Sequence, residues 1–286
     1  MAIRRGFVDI DEGQMHFRYG GKDRKAPPLI VLNVAPGTSL GIVPLIEKIE
    51  DKRPVYAIDL PGTGDSVTPR PANPTLPQFA DMLLRTATAL GFERFDLYGN
   101  RVGAHTSIEM AIAAPKRIRK HILDGLFIFP WPKDKVKWDQ PYDEPPVEKM
   151  RDWYTPLIAF DGHGTQFQKT WTFIRDTSLY WPWFERDAAH ARTVGLPSAD
   201  ELHDKTLEVL KAARTQHLVV RASFSQDWRA RCGDLAKLGL PTLADKNTVP
   251  FVPHATLKKT GRYDSYATSA DKAAAMAAEI NAYLEA

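Results

Sequence analysis

Cysteine is almost missing from this chain. Cys232 is the one thiol in 286 residues, so no disulfide can close within it, and a reducing compartment fits that usage. No local motif surrounds Cys232, which reads as an inert buried thiol and not as a nucleophile. Long apolar runs are missing as well: no stretch reaches the roughly 20 apolar residues that a membrane-crossing helix requires. Met1-Ala2-Ile3-Arg4-Arg5-Gly6 lacks the apolar core of a secretory leader. The expectation is a cytoplasmic protein with no membrane partner. Net charge is small, +3 from 38 Lys and Arg against 35 Asp and Glu. No basic cluster is interleaved with aromatics, which argues against a nucleic-acid partner. No internal repeat or low-complexity tract occurs, neither a metal nor a cofactor is expected, and nothing in the pattern sets an oligomeric state.

What is present is an ordinary globular composition, 43% hydrophobic and 26% charged, in a chain long enough to bury a large core. Phe7 to Gly21 reads as two short strands around the Asp11-Glu12-Gly13 turn. Continuous apolar runs at Pro28–Val34, Pro54–Leu60, Phe95–Tyr98 and His121–Gly125 fit strands buried on both faces. Between them lie amphipathic helical patterns: Leu40, Val43, Ile46 and Ile49 in one, and Phe79, Met82, Leu83, Thr86 and Leu90 in the next, closed by Gly91. Such alternation implies a parallel, doubly wound α/β sheet. From Trp131 to about Arg214 the character changes. Six of the seven tryptophans fall there (Trp131, Trp138, Trp153, Trp171, Trp181 and Trp183), and Ser198-Ala199-Asp200-Glu201 forms a capping box. The core resumes near His217 and ends in a helix that Ser269 caps.

At the centre, Phe95-Asp96-Leu97-Tyr98-Gly99-Asn100-Arg101-Val102-Gly103-Ala104-His105 runs from a strand through a Gly-x-x-x-Gly turn into a helix. This frame resembles the nucleophile elbow, Gly-x-Ser-x-Gly, of the α/β-hydrolase superfamily. Asp59-Leu60-Pro61-Gly62-Thr63-Gly64-Asp65-Ser66 matches the superfamily's Asp-x-Pro-Gly-x-Gly-x-Ser loop, and Asn33-Val34-Ala35-Pro36-Gly37 stands where its oxyanion loop reads His-Gly-x-Pro-Gly. The resemblance implies an α/β-hydrolase core over residues 1–130 and 215–286, with 131–214 as an inserted helical, Trp-rich cap. It also shows what has been replaced. The nucleophile position holds Arg101, the acid position falls at Val249 in Val249-Pro250-Phe251-Val252-Pro253, and the histidine position falls at Arg262 after Gly261.

A guanidinium can be neither nucleophile nor general base. Arg101 therefore calls for an anion, either a protein carboxylate (Asp124, Asp161 or Asp264) or a ligand carboxylate held bidentately. With the backbone N–H groups of Ala35 and Val102 beside it, the elbow suits an organic anion. His163, in Asp161-Gly162-His163-Gly164, is the first choice for proton transfer. His254 is the second, expected at the sheet's carboxyl end in the loop where the acid would be, and His105 is expected to pack against the sheet. Asn33, Asp124, Trp171, Arg175 and Trp183 are expected to line a pocket that is largely apolar with a few polar groups. Three functions follow as expectations. One is lyase- or hydratase-like chemistry on a small aromatic or carboxylate-bearing metabolite, with no triad; one is hydrolysis by an activated water; one is small-molecule binding without turnover.

Overall fold

The computed structural model describes residues 3–21, 25–49, 51–126, 160–181, 183–193, 195–265 and 268–286. Trp131, Trp138 and Trp153, and with them the expected start of the cap, lie outside the described residues. Eight strands form one sheet: β1 (Arg4–Ile10), β2 (Gly13–Gly20), β3 (Leu29–Leu32), β4 (Val55–Ile58), β5 (Phe95–Asn100), β6 (Ile118–Asp124), β7 (Thr242–Ala244) and β8 (Thr256–Leu257). Their order is β1-β2-β4-β3-β5-β6-β7-β8. β1 and β2 are the hairpin read from the sequence, in a register from Arg4 against Tyr19 to Ile10 against Gly13. β2 meets β4 antiparallel, and every pairing from β4 onward is parallel. β8, two exposed residues long, is too short for a periodic signal and was not expected.

Alternation along β3 shows how the layers arise. Leu29 and Val31 pack on one face with Ile42, Ile46, Met276 and Ile280, whereas Ile30 and Leu32 pack on the other with Phe79, Met82 and Ile108. Successive side chains of a strand point to opposite faces, so a strand covered on both must be apolar throughout. One face is covered by α1 (Val43–Ile49) and the last helix, α8 (Ala270–Glu285). The other carries α2 (Leu76–Ala89), α3 (Val102–Ala113), α6 (Gln216–Phe224) and α7 (Trp228–Lys237). Ser269 caps α8 by accepting from the Lys272 N–H, as expected. Cys232 lies fully buried in this core, and burial pushes its thiol up to about 12.

Between β6 and β7 the chain makes its long excursion, of which α4 (Thr165–Leu179) and α5 (Ala199–Lys211) are described. These two helices share a small core of Phe173, Ile174, Leu202, Val209 and Ala213. The Ser198–Glu201 capping box opens α5 as read from the sequence. α5 returns to the sheet's carboxyl edge, where Thr38 donates to Glu208 at 2.5 Å and Lys211 donates to Asp65 at 3.0 Å. The Asp59–Ser66 loop on that edge is held by its own polar atoms. Asp59 accepts from Ser39 N–H at 2.7 Å and pairs with His16 Nδ1 at 2.7 Å, and Ser66 donates to the Asp59 carbonyl. A Cβ at Gly64 would lie 2.2 Å from the Asp59 carboxylate, so the loop's glycine is a steric requirement.

Candidate functional site

The turn from β5 into α3 is the sharpest feature of the backbone. Arg101 has φ 53° and ψ −113°, and among the described residues it is the one non-glycine at positive φ. Such a conformation costs about 1–3 kcal/mol and persists only where the surroundings enforce it. They do so through the two flanking glycines. A Cβ at Gly99 would stand 2.5 Å from the Gly103 carbonyl and from Ser107 Oγ, and one at Gly103 would stand 2.2 Å from the Leu32 carbonyl. Helix and strand thus approach closer than any side chain permits, and the residue between them is lifted above the sheet. Its N–H donates to the Asp124 carbonyl at 2.9 Å.

The Arg101 side chain is nearly enclosed, and its partner is Asp264. Arg101 Nη2 donates to Asp264 Oδ2 at 3.2 Å, and Arg192 Nη2 donates to the same oxygen at 2.8 Å. Both guanidiniums lie over the Trp181 indole, at 5.7 and 5.6 Å from its centroid, a cation–π arrangement that gains strength where water is excluded. Of the three carboxylates considered from the sequence, Asp264 is therefore the one that meets Arg101. It stands in the loop before α8, two residues beyond Arg262, where the histidine of a triad was expected. Arg262 packs instead along Gly125, where a Cβ would come within 2.2 Å of its Cδ.

Asp124 is placed differently from its expected role at the ligand. It is fully buried, as is its partner Lys258, whose Nζ donates to Oδ1 at 2.7 Å. Its other oxygen accepts from Tyr98 Oη at 2.5 Å, Asn100 Nδ2 at 3.2 Å and Tyr263 N–H at 3.0 Å. Burial, with the Asp124 charge beside it, pushes the Tyr98 hydroxyl well above the ordinary phenol value, so it remains a donor. The carboxylate that ends β7 is Asp245, four residues before the position inferred from the loop frame. Val249 opens a short 3-10 turn instead. Asp245 takes the Gly125 N–H at 2.7 Å and the Asn247 and Thr248 N–H groups, so it braces the turn after β6.

The expected histidines are not brought to the elbow. His163 is exposed at the lead into α4, where Asp161 caps the helix by accepting from the His163 and Thr165 N–H groups. These bonds, the Thr165 hydroxyl foremost, lower the Asp161 carboxyl below its usual range. His254 bonds the Leu240 carbonyl at 2.9 Å. Leu240 precedes β7 and Thr256 begins β8, so His254 stands at the amino end of the strands, opposite the elbow; the expectation that it lies at the carboxyl end fails because β8 intervenes. His105 packs against α6 and α7 and not against the sheet as expected, stacked on Trp228 at 4.1 Å and bonded to Ser223. Trp171 and Trp183 pack on the core shared by α4 and α5, with Trp183 edge-on to Phe173 at 5.4 Å. Arg175 is taken by Asp176 at 2.7 Å. These three belong to the packing of the excursion. Among the described tryptophans, the one that reaches the elbow is Trp181, one of the six that the sequence gathers between Trp131 and Arg214.

Asn33 and Ala35 are buried on the loop after β3, and Val102 is buried at the start of α3. Val34 avoids the positive φ that a glycine would allow. Asn33 Nδ2 donates to the Thr38 carbonyl at 2.5 Å. Two cavities open nearby, and the second is lined by Arg192 and Asp264. A cleft of about 410 Å³ opens between the Leu40–Pro44 turn, α5 and the Tyr263–Ser269 loop. A broader groove of about 890 Å³ passes Gly125, Arg192, Asp245 and Arg262 on the far side of Asp264.

Residues 27–188 match the family model described as the alpha/beta hydrolase fold. The chain belongs to the α/β-hydrolase family. Solved structures agree on the fold. A haloalkane dehalogenase DbeA loop variant from Bradyrhizobium elkanii superposes with a TM-score of 0.70 at 16% identity, covering 100% of this chain and 97% of that one. A hydrolase from Pseudomonas aeruginosa PA01 superposes at 0.68 with 17% identity, covering 99% and 98%. Curated relatives match over less. A putative carbamate hydrolase RutD of Agrobacterium fabrum is 28% identical over 110 residues, 38% of this chain and 42% of that protein. A 2-hydroxy-6-oxononadienedioate/2-hydroxy-6-oxononatrienedioate hydrolase of Klebsiella pneumoniae is 26% identical over 177 residues, 56% and 60%. The match thus spans about two fifths to three fifths of these relatives' length. Among the described residues no helix is long and apolar enough to cross a membrane.

Proposed function

We propose that this chain is a hydrolase of the α/β-hydrolase family that acts on a small carboxylate-bearing substrate with water, and not a side chain, as the attacking group, beneath residues 131–214 acting as a cap. The observation that carries the reading is the Arg101–Asp264–Arg192 cluster. Two guanidiniums converge on one carboxylate oxygen in a nearly enclosed place, and such convergent donor forks suit an anionic ligand. Arg101 at the elbow removes the covalent route. The relatives' names support hydrolysis, and the Klebsiella relative is named for a dioate. A second reading, binding without turnover, is favoured by the placement of the histidines away from the elbow. Lyase- or hydratase-like chemistry has no observation of its own.

Thermal melting with adipate, benzoate and their neutral methyl esters tests the anion site. A ligand at 100 times its dissociation constant stabilises the folded form by about 2.7 kcal/mol. We expect a carboxylate to raise the melting temperature of the wild type by several degrees, its neutral ester to do so far less, and Arg101→Gln to abolish the difference. Equal shifts from acid and ester, or an unchanged response in Arg101→Gln, would overturn the reading.

A further inference from the structure

Beside the cleft between α5 and the Leu40–Pro44 turn lies a second, smaller cavity of about 20 Å³, room for one water, since about 10–15 Å³ suffices for one. The two spaces share Leu40, Gly41, Ser265 and Lys205, so the Lys205 side chain stands at their junction. The inner end is closed by Asn33, Thr38 and Glu208. Asn33 is 2% exposed, and its Oδ1 meets no protein donor among the described residues. The bond from Nδ2 to the Thr38 carbonyl sets the amide's orientation, so Oδ1 is a fixed, buried acceptor, a group that calls for a donor. Thr38 and Glu208 are committed to each other, and Glu208 also accepts from Lys211 at 2.9 Å.

We propose that Lys205 is the general base of the reaction, taking a proton from a water seated against Asn33, and that the substrate is a small ester carrying a free carboxylate. The inference rests on the hydrolytic reading above. Lys205 lines both the cleft and the smaller cavity that Asn33 closes. Burial pulls its amine below the ordinary lysine value, against the opposing charges of Glu201, one turn earlier on α5, and Asp264 across the cleft. Asp204 on the same helix also lines the mouth, and Glu208 the inner end. Asp264 joins this amine to the elbow, because the carboxylate that acts on Lys205 is the one that Arg101 and Arg192 hold.

The step balances without any other reactant. The neutral amine removes one proton as the water oxygen bonds to the ester carbonyl carbon. The carbonyl π pair moves onto its oxygen, toward the Ala35 and Val102 N–H groups. Collapse re-forms the carbonyl and breaks the bond to the leaving alkoxide, which takes the proton back from the Lys205 ammonium. Ester and water become acid and alcohol, and Arg101 and Arg192 hold the substrate's free carboxylate throughout.

Wild type, Lys205→Met and Lys205→Arg are assayed on mono-4-nitrophenyl adipate, 4-nitrophenyl butyrate and 4-nitrophenyl dimethylcarbamate. We expect the wild type to prefer the adipate ester over the butyrate by about tenfold or more in kcat/KM. Its kcat should rise with pH through one ionisation below the ordinary lysine value. Both variants should lose on the order of 100-fold or more in kcat with little change in KM. Lys205→Arg keeps most of the stem but holds its proton throughout, so it reads the loss of the base even if Lys205→Met melts early. If the wild type turns over and either variant retains kcat within about tenfold, or if the mass spectrum shows an acyl group on Lys205, the base assignment falls and the hydrolytic reading stands. If the wild type hydrolyses none of the three esters, the hydrolytic reading falls and Lys205 falls with it.

Discussion

Two buried ion-pair centres lie within a few residues of the elbow, and they differ in one respect. At Asp124, both carboxylate oxygens are answered from within: Lys258 on one, and Tyr98, Asn100 and the Tyr263 N–H on the other, with both charged side chains fully enclosed. Charges balance, and the centre ties β5, β6 and the loop before α8 together. At Asp264, two arginines share one oxygen, and the group keeps 7–15% of its side-chain surface open. It is roofed by Trp181, and its Asp264 and Arg192 line the broader groove. A balanced, sealed centre costs nothing more once folded. Guanidiniums that converge beside an open groove suit an anion. The sealed centre belongs to the fold, and the open one is the proposed ligand site.

The comparison breaks first at Lys258. Removing one partner of a buried pair leaves the other charge unpaired, at a cost of about 3–5 kcal/mol, so we expect Lys258→Met to lower the melting temperature by on the order of 10 °C. Adding Asp124→Asn should recover much of that loss, because a neutral amide needs no counter-charge, and the double-mutant cycle reads the coupling directly. A Lys258→Met variant that melts with the wild type would mean that Asp124 reaches water, and the contrast between the centres would disappear.

The sealed centre was harder to read than the fold around it. Gly99, Gly103, the Asp59–Ser66 loop and the apolar strands each carry a local pattern that only one backbone satisfies, and the α/β-hydrolase sheet follows from them. Asp124 and Lys258 stand 134 positions apart, and no local rule pairs them. Asp264 was on the short list because Arg101 needed an anion, but spacing could not separate it from Asp124 and Asp161. The histidine assignments rested on loop position alone. His254 went to the wrong end because β8 is two residues long and leaves no period to detect. Trp171, Trp183 and Trp181 share one composition signal, and only the packing of α4 on α5 separates the wall from the roof of the site. Lys205 was not singled out, because a lysine on a helix with an acid one turn before it reads as a solvated pair.

Acid should erode the sealed side. His121, on β6 three residues before Asp124, is fully buried, and burial lowers its imidazole from 6.5 to about 3. Ser107 donates its hydroxyl to the Ala104 carbonyl, so His121 Nε2 at 2.8 Å serves as the donor to Ser107 Oγ and the ring is neutral. The unfolded chain takes up the proton near 6.5 and the folded one only near 3. Its contribution is therefore whole above about pH 6.5 and is lost progressively as the pH falls toward 3. Urea midpoints between pH 7 and 4 should decline more steeply for wild type than for His121→Asn. Parallel lines would show that His121 protonates in place.

The smallest effect concerns the open centre and sharpens it most. Arg101→Gly and Arg101→Met both remove the guanidinium, leaving Asp264 with Arg192, so both lose the same pair. They differ in the backbone. Glycine adopts φ 53° freely and releases strain of about 1–3 kcal/mol, against an entropic cost of about 0.5–1 kcal/mol for its looser unfolded chain. Methionine keeps the strain. We therefore expect Arg101→Gly to be the more stable by about 1 kcal/mol, the reverse of the usual ranking at a helix start, and to lie close to wild type. Chemical denaturation of the two variants side by side measures the difference. If methionine proves the more stable, the elbow is not strained, and Arg101 sits there for its contacts with Asp264 and Trp181 alone.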